Sequence, residues 1–406
     1  TGLRMVFLLL LCVPVSSWLM FLVRRWPTTP LEAGLSLLAT TVLLWLGGLV
    51  IAAKAPMRLP VAVVSLLTSV VILVDQWLGA PLSFTSFSGY SPLLAARFYG
   101  LGNEGAALLF GSGYLANLGV IPALIGRNDL ILADRLCHAS LIDGCRLSGA
   151  DFRVFRHRDA DHLESLLKRR RSHRRTLIVT DGLFSMDGDL APLPDIAAAC
   201  ERHDALLAVD DAHGLGVIGP TGRGIVEHFG LGAAEIPALV GTLGKAFGSF
   251  GAFVAGDETL IEYLIQRART YIYTTALPPA VAAATRRALE IAEAEPWRRE
   301  RVLAHAARFR RLAVEAGIAV APSDTPILPV ILGDPRRAVA VSAALFERGY
   351  LVTAIRPPTV PPGTSRLRIT FSAAHQDSDV DRLVAALSDV LAALPADPAE
   401  TVAHHG

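Results

Sequence analysis

Lys245 stands in the stretch GTLGKAFG, residues 241–248, where its flanking residues are almost all small. A lysine that forms a Schiff base needs a lowered pKa and space for a ring beside its amine, and small neighbours give that space. The same Gly-rich loop could cradle a phosphate, and a solvated loop lysine is the plainer alternative. Upstream, LLAVDDAH at residues 206–213 places Asp210 at the end of an apolar run, with His213 three residues on. A carboxylate there can keep a pyridine nitrogen protonated and so make the ring an electron sink, while the histidine reaches a neighbouring ring oxygen. A strand-terminal Asp-Asp is equally a metal or turn signal.

Three weaker signals lie nearer the start. FGSGY at residues 110–114 opens a helix, and the free N–H groups around Ser112, Gly113 and Tyr114 suit a phosphate. Many helices simply begin that way. His138, in DRLCHAS at residues 134–140, reads alone as a loop or core histidine, and Ser185, in TDGLFSMDG at residues 180–188, as a turn residue or a cofactor contact. Cys12, Cys137, Cys145 and Cys200 have no CxxC spacing, so reduced thiols are expected, with neither a disulfide framework nor a metal site. A net charge of +1 without a long basic arm gives no reason to expect a nucleic-acid partner.

These residues need a scaffold. Apolar runs at 130–133, 177–180, 206–209 and 238–241 alternate with helical stretches, which predicts an α/β fold with a mostly parallel sheet. Ligands of such sheets gather at the carboxyl ends of the strands. The pattern predicts a large domain over 105–294, ending in a long helix at 279–293. A small α+β domain over 295–406 follows, with helices at 300–316, 336–348 and 377–394 and strands near 329–332 and 366–371.

The 406-residue chain is 52% hydrophobic, with the excess concentrated in residues 1–104. Charge-free or nearly charge-free stretches at 5–23, 35–53 and 59–74 approach the ~20 residues needed to cross a bilayer, predicting two to three transmembrane helices. A secretory signal would carry one such stretch, not a series. Arg24 and Arg25 pull one loop toward the cytoplasm, Lys54 and Arg58 pull the next, so orientation stays open. Beginning at Thr1, the sequence is expected to be a piece of something longer.

The order of the chemical signals, and the words ALLFGSGYLAN, ADRLCHASLIDG, DGLFSMDGDLAPL, VDDAHGLGVIG, TLGKAFG and YIYTTALPP, carry a resemblance over residues 106–394. This region resembles the α-oxoamine synthase family of fold-type-I enzymes dependent on pyridoxal 5'-phosphate (PLP), with an aspartate-aminotransferase-like large domain. TAIRPPTVP at 353–361, with SRLR at 365–368, is similar to the branch that condenses L-alanine with a pimeloyl thioester, on coenzyme A or an acyl-carrier protein, in biotin synthesis. A sphingolipid-type or aminoketobutyrate-type synthase with another acyl chain is the alternative within the family. A membrane protein bearing a non-catalytic synthase domain is the alternative outside it.

The resemblance implies that Lys245 holds PLP and then acts as acid and base at the substrate α-carbon. Asp210 would pair with the pyridinium nitrogen, His213 with the phenolic oxygen, His138 would stack on the ring face, and Ser185 would lie near the ring oxygen. Ser112, Gly113, Tyr114 and Thr242 would hold the phosphate. Thr275 would reach the phosphate of a second subunit, implying a homodimer, and Arg368 would clamp the amino-acid carboxylate with Arg356 nearby. Two family words that line the substrate entrance, Asn-Asp-Tyr-Leu-Gly-Leu and Gly-Ser-Gly-Gly-Ser/Thr, are not found; the membrane-like stretch stands in their place up to residues 103–105. Either a fusion tethers a partial synthase to the membrane, with its enzyme domain in the cytoplasm, or two unrelated pieces are joined and the natural enzyme is cytoplasmic. The second is favoured, because replacing substrate-binding structure is hard to reconcile with activity.

Overall fold

The computed structural model describes residues 105–170 and 173–395. The expected membrane stretches at 5–23, 35–53 and 59–74 lie outside the described residues, as do Cys12 and residues 396–406 of the expected small domain. Among the described residues, no helix is long and apolar enough to cross a membrane.

Seven strands form one sheet: β1 (Gly105–Phe110), β2 (Leu130–Asp134), β3 (Asp151–Phe155), β4 (Thr176–Asp181), β5 (Leu206–Asp210), β6 (Ala238–Thr242) and β7 (Ala252–Asp257). Their spatial order is β1-β7-β6-β5-β4-β2-β3. From β3 to β6 all neighbours are parallel, while β7 runs antiparallel to both β6 and β1. The central strands β2 and β4 are buried along their whole length, as expected of strands covered on both faces. Alternation then divides the side chains of β2, β4 and the adjacent β5. Leu130, Leu132, Ile178 and Val209 pack in one apolar layer, and Ile131, Ala133, Leu177 and Ala208 in the layer on the other face.

Helices join the strands: α1 (Gly113–Leu124), α2 (Ala139–Ser148), α3 (Ala160–Lys168), α4 (Leu193–Arg202), α5 (Ile225–Phe229), α6 (Glu258–Arg267) and α7 (Arg269–Ile272). Side-chain caps fix several starts: Ser112 for α1, Asp159 for α3 and Asp257 for α6 each accept an N–H from the first turn. Two long helices follow, α8 (Pro279–Ala294) and α9 (Trp297–Glu315). A second sheet is built of β8 (Ile327–Gly333), β9 (Thr353–Ile355) and β10 (Ser365–Thr370), in the order β8-β10-β9 and wholly antiparallel. With α9, α10 (Pro335–Glu347) and α11 (Asp377–Ala393) it encloses its own apolar core around Phe309, Leu328, Val341, Leu367 and Leu387.

Candidate active site

The carboxyl ends of β2, β4, β5 and β6 finish on Asp134, Asp181, Asp210 and Thr242. Four polar residues thus stand in a row where apolar strands stop, and Asp181 faces Asp210 across the β4–β5 register. Lys245 follows β6 in a tight turn. Leu243 N–H donates to Gly251 O at 2.9 Å, Gly248 N–H to Lys245 O at 3.0 Å, and Ser249 N–H to Leu243 O at 2.9 Å. Gly251 sits at φ 97°, a left-handed conformation that favours glycine, and an added Cβ there would come 2.9 Å from Phe110 O. Thr242 Oγ accepts from Gly244 N–H at 3.3 Å and donates to Gly251 O at 3.2 Å, closing the base of the turn.

Lys245 is exposed as a whole residue, yet partial burial of its amine lowers its pKa. Asp210, Asp181 and Asp211 oppose the shift, and the Arg368 guanidinium adds to it. His213 is pushed down to about 3, first by burial and then by the positive charges of Lys245, Arg368 and His138. Lys245, His213, Arg368, His138, Asp181 and Asp210 are therefore near enough for their charges to act on one another. Asp181 is driven well above the usual carboxyl range, by burial first and by Asp210 second.

Asp210 is held by two donors. Asn117 Nδ2 donates to its Oδ2 at 2.6 Å and Ala212 N–H to its Oδ1 at 2.9 Å. The same Asn117 amide donates to Ser140 Oγ at 2.9 Å. Ser140 N–H in turn donates to His138 Nδ1 at 3.2 Å, which leaves Nε2 as the proton-bearing nitrogen of that ring. His138 caps α2, and its own N–H donates to Asp181 Oδ2 at 2.7 Å, leaving the ring exposed above the strand ends.

At the start of α1, Ser112 Oγ accepts from Leu115 N–H at 3.2 Å, and the first helical bond runs from Ala116 N–H to Ser112 O. The amides of Gly113 and Tyr114 precede that bond, and a Cβ on Gly113 would meet nothing within 4 Å. Tyr114's hydroxyl is turned aside to Asp143 at 2.6 Å, so its amide is the group suited to an anion. Arg368 reaches from β10 and donates through Nε to Ser185 O at 2.6 Å. Thr275 and Arg356 are different: both are exposed, Thr275 in the loop before α8 and Arg356 just past β9, and no hydrogen bond ties either side chain to the cluster.

Three further residues, Asn117, Asp181 and Arg366, belong to the site beyond those the sequence words mark. Asn117 is the one amide in the otherwise apolar α1, and Asp181 ends a buried strand just as Asp210 does, so both carried a signal. Arg366, 3% exposed and paired with Asp187, carried none, because its partner is far away in sequence.

Chemically, the cluster offers an amine of lowered pKa, a fixed carboxylate, a stacking imidazole and a helix N-terminus. These suit respectively the aldehyde, the ring nitrogen, the ring face and the phosphate of PLP, so the residues fit that cofactor. Fold and site together define a PLP-dependent transferase. The chain belongs to the aminotransferase class I and II family, whose model matches residues 94–387. It is 59% identical to 8-amino-7-oxononanoate synthase of Methylococcus capsulatus over 285 residues, 70% of this chain and 73% of that one. It is 60% identical to the enzyme of the same name from Nitrosococcus oceani, over 70% of this chain and 75% of that one. Among solved structures, a serine palmitoyltransferase from S. paucimobilis with bound PLP matches at a TM-score of 0.72 and 31% identity, over 77% of this chain and 78% of that one. The 8-amino-7-oxononanoate synthase of Francisella tularensis matches at 0.66 and 31%, over 77% and 89%. The α-oxoamine synthase resemblance of the sequence words therefore holds, and the cofactor is PLP.

Proposed function

We propose that this chain is a PLP-dependent C-acyltransferase that condenses L-alanine with a pimeloyl thioester, releasing carbon dioxide and the carrier's free thiol and forming 8-amino-7-oxononanoate for biotin synthesis. The single observation that carries the reading is the set of residues at the strand ends: Lys245 in its tight turn after β6, Asp210 held by Asn117, and Arg368 fastened to the Ser185 carbonyl. The 59–60% identity to two named synthases narrows the substrates.

When bound, PLP supplies an electron-accepting ring that spreads the charge developing at the amino-acid α-carbon. The chain's own residues do the rest. Arg368 binds the alanine carboxylate through its planar fork and so orients the Cα–H bond toward Lys245. Lys245 Nζ takes that proton and later returns one, a task its lowered pKa favours. With PLP bound, Asp210, steadied by Asn117, would keep a proton on the ring nitrogen, His213 would donate toward the ring oxygen near Ser185, and His138 would cover the ring face. Ser112, Gly113, Tyr114 and Thr242 hold the phosphate. Thr275 reaches the phosphate of a second subunit in a homodimer, and Arg356 lines the path of the acyl chain. Residues 105–294 form the cofactor-binding domain and 295–406 the small domain. The enzyme domain works in the cytoplasm, in keeping with the reading that residues 1–104 are an unrelated piece.

A sphingolipid-type reaction is the second reading, favoured by the likeness to serine palmitoyltransferase, although at 31% that identity is about half the value for the named synthases. Product analysis separates the two. Mass spectrometry should find 8-amino-7-oxononanoate from alanine with pimeloyl-coenzyme A or pimeloyl-acyl-carrier protein, and no product from serine with palmitoyl-coenzyme A. The reverse pattern would overturn the reading.

A further inference from the structure

His157, two residues past β3, takes no part in the roles assigned above. Its side chain is 23% exposed and lies between two carboxylates, with Nδ1 2.9 Å from Asp134 Oδ1 and Nε2 2.9 Å from Asp189 Oδ2. Both acceptors are carboxylate oxygens, so both ring nitrogens must donate, and only the imidazolium carries two N–H groups. The ring stands edge-on to Phe184, with centroids 4.5 Å apart.

The two carboxylates belong to different parts of the fold. Asp134 ends β2, and its Oδ2 accepts Arg158 N–H at 2.8 Å. Asp189 closes the loop that carries Ser185: Phe184 N–H donates to Asp189 O at 3.0 Å and Gly188 N–H to Phe184 O at 2.9 Å. The small sheet grips the other side of that loop. Arg368 Nε donates to Ser185 O at 2.6 Å, and Arg366 Nη1 donates to Met186 O at 3.2 Å and pairs with Asp187. Ser323 and Thr325 donate their hydroxyls to Gly188 O at 2.7 and 2.8 Å. The loop is therefore a bracket, fastened to the large sheet by His157 and to the small sheet by Arg368 and its neighbours.

We infer that His157 is a positioning residue: its doubly hydrogen-bonded ring pins the Ser185 loop to the end of β2, and through the Ser185 carbonyl fixes the Arg368 side chain that receives the amino-acid carboxylate. The last step rests on the carboxylate role proposed for Arg368. The charged groups facing the ring are Asp134 from β2, Asp189 from the loop, and Arg158 from its own segment, which also pairs with Asp189 at 3.1 Å. Burial opposes a charge on the ring, but the two carboxylates prevail and raise its pKa to about 9. Because the folded value lies above the ordinary 6.5, the clamp is complete below about 6.5 and is lost as the pH rises through about 9. Arg158 stays charged and keeps its hold on Asp189, so the loop loosens without letting go.

The test uses His157→Gln and Asp189→Asn in the full chain, following PLP binding and L-alanine binding separately by visible absorption. Gln has one donor nitrogen, so it can satisfy only one of the two carboxylates, and L-alanine should bind about tenfold more weakly while PLP affinity holds. Wild-type affinity for alanine should fall across pH 9 beyond whatever His157→Gln shows over the same range. Asp189→Asn should move that fall to lower pH. Unchanged alanine binding in both variants, or parallel loss of PLP and alanine, would overturn the inference. Histidine-labelled NMR, with the signal assigned by His157→Gln, reads the clamp without any ligand: a ring titrating near 9 supports it, and one titrating near 6.5 rejects it. If the wild type binds PLP but no alanine, the substrate reading has failed, and the NMR titration alone decides the clamp.

Discussion

Asp210 and Asp211 are adjacent at the end of β5, and their surroundings give them opposite tasks. Asp210 takes the Asn117 amide and Ala212 N–H and faces Lys245. Asp211 is fully buried, accepts Ile225 N–H at 2.7 Å, and has its other oxygen without a partner. Burial above all pushes its carboxyl up to about 8, and the charge of Asp210 adds to this. The folded value exceeds the ordinary 3.8, so its stabilising contribution is complete below about 3.8 and is lost as pH rises through about 8. Asp211→Asn keeps an oxygen for Ile225 and removes the titration. Its melting temperature should therefore gain on the wild type's between about pH 4 and 8, and a constant difference over that range would contradict this. Lys245→Ala removes the acid and base itself; turnover should fall by about 10²–10⁴-fold with the melting temperature nearly unchanged. Lys245, Asp210 and His213 were legible in the sequence because each sits at a strand end in a distinctive word. Arg366 and His157 were not: what gives them meaning is a contact with a residue far along the chain, Asp187 for one and Asp189 for the other.

The elements matter by how closely they hold these residues. Gly241 in β6, four residues before Lys245, has no room for a side chain: a Cβ there would collide with Leu215 and come within 2.6 Å of the Phe253 ring. Gly241→Ala should cost about 1–3 kcal/mol in chemical denaturation, by overpacking, and shift the turn that carries Lys245. At the start of α1, Ser112→Ala removes the cap on Leu115 N–H, at a cost of about 1 kcal/mol, and should weaken PLP binding in equilibrium titration. The strands β2, β4, β5 and β6 were readable as unbroken apolar runs because they are buried. The sheet-edge strand β3 was not, since Asp151 and Arg153 break its run and pair with each other on the surface. The three-residue β9 is too short to leave a pattern, and β1 and β7 are short apolar runs that periodicity alone does not tell from buried helix.

At the scale of the molecule, two sheets with separate cores meet at a loop that both of them hold, and the candidate site lies along that seam. Arg366 and Arg368 come from the small sheet, while Asp134, Asp181, Asp210 and Lys245 come from the large one. The sequence disclosed the alternation that makes the large sheet, and the resemblance disclosed the cofactor, but the seam itself rests on contacts no local pattern encodes. Exposed Thr275 is expected to serve a second copy of the chain, so the protein should sediment as a dimer, and Thr275→Ala should weaken PLP binding without changing the sedimentation. The most direct measurement of the central claim is borohydride reduction of the protein with added PLP, followed by peptide mapping. A PLP-derived mass should be fixed on the peptide containing Lys245, and L-alanine added beforehand should displace it. A label spread over surface lysines, or none on Lys245, would contradict it.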